Sequence, residues 1–159
     1  MGARSEALAK QFEGKVQEAV AVLEQLSAAD WNKVTEAERW TVGVTAHHLA
    51  SALDPVAGIV STIVSEQSRG TFTRAMLDEL NARHAQEHAH CTKADTLALL
   101  KRGVAAAAAV IRGLHDDQLA TSGTVFTDVP PMTAEQLITG GLFGHIDAHV
   151  GSIRKTVGT

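Results

Sequence analysis

The chain is poor in cysteine, proline, aromatic residues and charge of one sign. One cysteine in 159 residues cannot close an internal disulfide. That excludes a disulfide-stapled scaffold and permits a reducing compartment. Fourteen Lys plus Arg stand against 18 Asp plus Glu, for a net charge of −4, so nothing resembles the basic footprint of a nucleic-acid binder. The longest apolar run, Val104 to Ile111, is too short and too alanine-rich to span a bilayer. The first residues, Met1 to Glu6, lack the apolar segment of a secretory signal. These absences predict a cytoplasmic protein with neither a nucleic-acid nor a membrane partner. Tyrosine is absent, and no segment alternates apolar and polar residues long enough to read as a strand.

What is present is helical periodicity. Residues 1–159 read as a single domain, with a length that buries about 70% of the unfolded surface in one core. Leu8, Phe12, Val16, Ala19, Leu23 and Leu26 fall on one helical face, predicting a first helix from about Ser5 to Ser27. After a polar connection, Asp30 to Arg39, Thr41 caps a second helix carrying Val44, His48, Ala52, Ile59 and Ile63 on one stripe. Pro55 lies inside that helix and predicts a kink or local irregularity, because it removes a backbone donor. Ser68-Arg69-Gly70 is the expected stop. A shorter polar helix comes next, from Thr73 to His88. Thr92 with Asp95 opens another, whose stripe is Leu97, Leu100, Val104, Ala108, Ile111 and Leu114. Gln118 to Met132, with Pro130 and Pro131, reads as a loop. Thr133 and Gln136 form a capping box for the last helix, Ala134 to about Thr156. Four long helices predict an all-α four-helix bundle with a crossover connection.

The chain is rich in histidine, with eight residues. His145 and His149 are four apart, so both rings leave one helix face, among Ile138, Leu142 and Ile153. Two imidazoles pointing into a bundle need partners. A metal ion satisfies them; so do hydrogen bonds to side chains or water. Ile146 stands where a zincin places its glutamate base, which excludes that protease mechanism. On the second helix, His48 shares the apolar stripe and His47 a more polar flank with Trp40, Gly43, Ser51 and Asp54. An inward His48 facing His145 and His149 makes a three-nitrogen metal site with an open position, the arrangement of a catalytic rather than a structural site. His84, His88 and His90 sit among polar residues and read as a solvated face. His115 reads as a structural cation at a helix end. Cys91 has no partner cysteine, and Trp31 and Trp40 read as packing anchors. Asp147 and Asp54 are candidates for orienting the ligand rings. Thr45, Asn81 and Phe143 fall near the level of the site if the helices keep register. No further catalytic residue is assigned.

The stretch Trp40 to Ala50 resembles the second-helix signature of the DinB/YfiT-like superfamily, in which a tryptophan precedes a helix whose metal-binding histidine is followed by Leu-Ala. Its counterpart here is His48-Leu49-Ala50. His145 to Arg154 resembles the last-helix motif of that superfamily. The resemblance implies an up-down-down-up bundle, frequently a homodimer, with zinc or nickel on His48, His145 and His149. Characterised relatives include bacillithiol S-transferases and mycothiol-dependent maleylpyruvate isomerase. It therefore implies a low-molecular-weight thiol as cosubstrate and a small electrophile as substrate. A metal-dependent hydrolase and a non-catalytic metal- or ligand-binding stress-response bundle are the alternatives.

Overall fold

Short polar side chains start most helices of this chain. The computed structural model describes residues 2–67 and 71–159. The expected helix stop at 68–70 therefore lies outside the described residues. Helix α1 (Ala3–Glu24) is followed by the one-turn α2 (Ala28–Trp31), opened by a capping box of Ser27 and Asp30. Thr41, Thr73, Thr92 and Thr133 have extended backbones, and each side chain accepts the amide three residues on. They open α3 (Val42–Val64), α4 (Arg74–Glu87), α5 (Lys93–Arg112) and α6 (Ala134–Gln136). The exception is α1, whose first residue is preceded by Gly2, which has no capping side chain. Asp116, far along the chain, accepts from the amides of Arg4 (3.2 Å) and Ser5 (3.1 Å) instead.

Two expectations are corrected here. The first helix ends at Glu24, because Ser27 caps a new turn rather than extending the old one. The last helix is not uniform. From α6 the backbone enters a π-helical stretch (Leu137–Gly144) and then α7 (His145–Val157), with helical dihedrals throughout the joins. That wide stretch holds Gly140, Gly141 and Gly144, and π turns of this kind shift the register of the α-helix beyond them. The expected loop 118–132 contains part of a 3-10 turn (Asp116–Ala120) and the first strand of a two-residue ribbon. In that ribbon β1 (Ser122–Gly123) pairs antiparallel with β2 (Met132–Thr133). Helix α3 runs unbroken through Pro55.

Side-chain contacts give the topology. Gly2 bonds to Leu114 and Lys93 reaches the Glu24 and Leu26 carbonyls, so α1 and α5 run antiparallel. Cys91 meets Gly43 and Gly103 meets Leu53, so α5 runs parallel to α3. Val56 touches Gly141, and His48 lies beside His145 and His149, so α7 runs antiparallel to α3. The bundle is therefore up-down-down-up. Its core joins Leu8, Phe12 and Leu23 of α1, Leu49 and Leu53 of α3, Leu100 and Ile111 of α5, and Ile146 and Ile153 of α7. A fully buried side chain of this kind contributes about 1.5–3 kcal/mol. Among the described residues no helix is long and apolar enough to cross a membrane.

Helix α4 is different. It has no fully buried residue, and it leaves Met76 and Leu80 exposed.

Gly43 marks a tight contact beside the site. A Cβ there would run into the indole of Trp31, whose Nε1 donates to the Cys91 carbonyl (2.9 Å). Gly43→Ala should destabilise the protein by about 1–3 kcal/mol through overpacking. Gly58→Ala, with open space at its Cβ, should stabilise it by about 0.5–1 kcal/mol through helix propensity. Urea unfolding of the two variants measures both, and equal midpoints would contradict the packing assignment.

Candidate metal centre

The antiparallel contact of α3 with α7 brings three imidazoles together. One ring nitrogen from each of His48, His145 and His149 lies within 4.8 Å of the others. The ring centroids are 5.0 Å apart for His48 and His145, 4.9 Å for His48 and His149, and 4.4 Å for His145 and His149. All three residues are half-buried, at the margin of the core rather than inside it. This refines the facial expectation. The buried stripe of α7 runs through Ile146, Val150 and Ile153, and that of α3 through Leu49, Leu53, Ala57 and Val60. The histidines flank both stripes, so each keeps partial exposure to solvent.

The cluster disfavours protons. Burial, reinforced by His149 and His48, pushes His145 down to about 3. Burial, reinforced by His149 and His84, pushes His48 down to about 4. Both rings are therefore neutral at pH 7, each with a lone pair to offer. His145 Nε2 is fully buried and has no hydrogen-bond partner among the described residues. A buried polar atom left without a partner is costly, and a cation is one ligand that removes the cost.

His149 is oriented by a carboxylate from outside both helices. Its Nδ1 lies 2.8 Å from Glu38 Oε1, and the Ser152 hydroxyl donates to Glu38 Oε2 at 2.6 Å. Burial alone would raise the Glu38 carboxyl, but Ser152, Thr35 and His149 together outweigh it and hold it below the usual range. An Nδ1–H donated to Glu38 leaves Nε2 as the lone-pair nitrogen. A folded-back loop places Glu38. Val34 bridges Thr41, the Thr35 amide donates to the Trp40 carbonyl (2.8 Å), and Arg39 takes a left-handed φ of 62°. The loop docks on α7 a second time through Glu36 and Lys155 (2.7 Å). The same turn sets the Trp40 ring edge-on to His48, centroids 5.2 Å apart, so Trp40 lies against the site.

Other expected residues lie elsewhere. Asp147 pairs with Lys15 (2.7 Å) on α1 and makes no bond to a histidine among the described residues. Asp54 is exposed and makes no bond to the triad among the described residues. The Thr45 hydroxyl donates to the Thr41 carbonyl, Phe143 stacks on Phe12, and Asn81 is half-buried on α4. The solvated-face reading of His84 and His88 is corrected: both turn onto His47, while His90 is exposed. Burial, with His47 and His88 nearby, lowers His84 to about 4. The amide of His115 donates to Gln118 Oε1 at the start of the 3-10 turn. The Cys91 thiol donates to the Gly43 carbonyl (3.3 Å), and burial raises its pKa, so it is a protonated packing group. Glu38 had no spacing signal in the sequence beyond its closeness to Trp40.

The donor set fits a metal. Neutral imidazoles suit zinc and nickel, and three ligands leave a coordination position free. The family model described as the DinB superfamily matches residues 11–152. No curated protein and no solved structure matches the chain.

The depressed histidines make metal-free stability depend on pH. An unfolded histidine titrates near 6.5, above the values of about 3 to 4 at His145, His48 and His84. As pH falls, the unfolded chain takes up protons first, so stability is full above about 6.5 and declines as pH falls towards 4. The melting temperature of the metal-free protein should be level from pH 7 to 8 and fall steeply below pH 6.5. His145→Gln should flatten part of that fall. A level profile between pH 6.5 and 4.5 would contradict the assignment of neutral rings.

Proposed function

The chain belongs to the DinB superfamily, and from that premise we propose a metal-dependent S-transferase that joins a low-molecular-weight thiol to a small electrophile. The observation that carries the reading is the cluster of three imidazoles, two of them neutral at pH 7, with one buried nitrogen that has no hydrogen-bond partner among the described residues. His48, His145 and His149 are the metal ligands, and zinc or nickel is the metal. A bound divalent cation supplies a positive centre at which a thiol ionises near neutral pH. In the overall reaction a sulfur–carbon bond forms, the bond from that carbon to its leaving group breaks, and the thiol proton passes to solvent.

The side chains of the protein divide the remaining work. Glu38 holds the Nδ1 proton of His149 and so aims Nε2 at the centre. Ser152 holds Glu38 in turn. Both carboxylate oxygens are thereby engaged, so Glu38 is a positioning residue and not a free base. Metal-dependent hydrolysis is therefore the second reading, since it would benefit from a free base beside the site.

Two measurements test this. Glu38→Gln should retain the fold and weaken zinc binding about 10–100-fold, the usual effect of losing a partner that orients a ligand histidine. Unchanged affinity would remove Glu38 from the site. The zinc- or nickel-loaded protein should conjugate a biological thiol to an alkylating dye, and His145→Ala should abolish both turnover and metal binding at the triad of His48, His145 and His149. A loaded protein that is inert with every thiol, yet melts at a much higher temperature than the metal-free form, would favour a non-catalytic metal-binding bundle.

A further inference from the structure

A second histidine cluster lies beside the first and has no part in the proposed reaction. His47 on α3 meets His84 on α4 and His88 just past its end, and one ring nitrogen from each lies within 4.8 Å of the others. The rings of His47 and His88 stack with centroids 4.0 Å apart, those of His84 and His88 lie at 4.6 Å, and those of His47 and His84 at 4.9 Å. His47 Nδ1 and His84 Nε2 are 2.8 Å apart, and the Ser51 hydroxyl lies 3.3 Å from His84 Nε2. His84 Nδ1 is fully buried with no hydrogen-bond partner among the described residues. We propose that His47, His84 and His88 form a second site for a divalent transition-metal ion of the zinc and nickel class, adjacent to the triad.

The local structure explains how such a site arises. His84 and His88 are one helical turn apart, at the C-terminal end of α4, so both rings leave the same face. His47 and His48 are consecutive on α3, and their side chains diverge by about 100° around the axis. One therefore joins the triad and the other joins α4. The centroids of His48 and His84 are 5.6 Å apart, which makes the two clusters neighbours. Three imidazoles on two helices form the ligand type and number of a metal site with positions left for solvent or a further ligand. Helix α4 buries none of its residues completely, so it lacks the apolar anchorage of the other long helices. A cation shared by His47, His84 and His88 would fasten it to α3, and this inference does not depend on the transferase reading.

Zinc titration of the full, metal-free chain, followed by elemental analysis after desalting, tests the proposal. The wild type should bind two equivalents. His84→Gln with His88→Gln should bind one, and His145→Gln with His149→Gln should also bind one, the other site surviving. Amide exchange within Arg74–Glu87 should slow on zinc addition in the wild type and not in the α4 double variant. If that double variant fails to fold, His88→Gln alone, at the helix end, should weaken the second equivalent at least tenfold. One equivalent in the wild type, or two retained in the α4 variant, would overturn the proposal and leave the cluster as a hydrogen-bonded seat for α4. Failure of the transferase reading would appear instead as two bound equivalents without thiol turnover.

Discussion

The antiparallel packing of α3 against α7 is the constraint on which the site depends. It sets His48 opposite His145 and His149 at the edge of the core, where the rings lose much of their hydration without being sealed from solvent. Partial desolvation keeps His48 and His145 uncharged and their lone pairs available. Deeper burial would close the open position. Full exposure would let the rings protonate and diverge. Leu49, Leu53, Ile146, Val150 and Ile153 hold the two helices together, while the histidines take the flank.

A loop completes the arrangement. The turn between Val34 and Thr41 takes a left-handed backbone at Arg39 and docks on α7 through Glu36 and Glu38. The exposed pair of Glu36 and Lys155 contributes little energy. The half-buried contact of Glu38 with His149 and Ser152 is the specific one, since a carboxylate accepting from Nδ1 selects the tautomer of the His149 ring. The backbone that presents Glu38 also presents Trp40 to His48, so one short loop shapes two sides of the cluster.

The helices were legible because their signals are local. A threonine followed three residues later by an amide it can cap, or an apolar residue every three or four positions, needs no knowledge of the rest of the chain. Thr41, Thr92 and Thr133 all cap the helices expected of them. The π-helical stretch Leu137–Gly144 was not legible, because its glycines permit a wide turn without requiring one. Asp147 was a reasonable partner for a neighbouring histidine by spacing, yet it faces Lys15 across the bundle. The polar residues around His84 and His88 gave that helix a solvated appearance, although its two histidines point at α3.

The sequence by itself determined the all-α class, most helix starts and the pairing of His145 with His149, since each comes from residue type and helical spacing within one segment. It also carried the likeness of Trp40–Ala50 and His145–Arg154 to a known family. Only the tertiary structure decided that Glu38 orients His149, that Trp40 lies against His48, and that His47 gathers His84 and His88 into a second cluster. Those contacts join residues from separate elements, and they depend on helix register and loop path. Both are set by how the whole core packs, which no local spacing encodes.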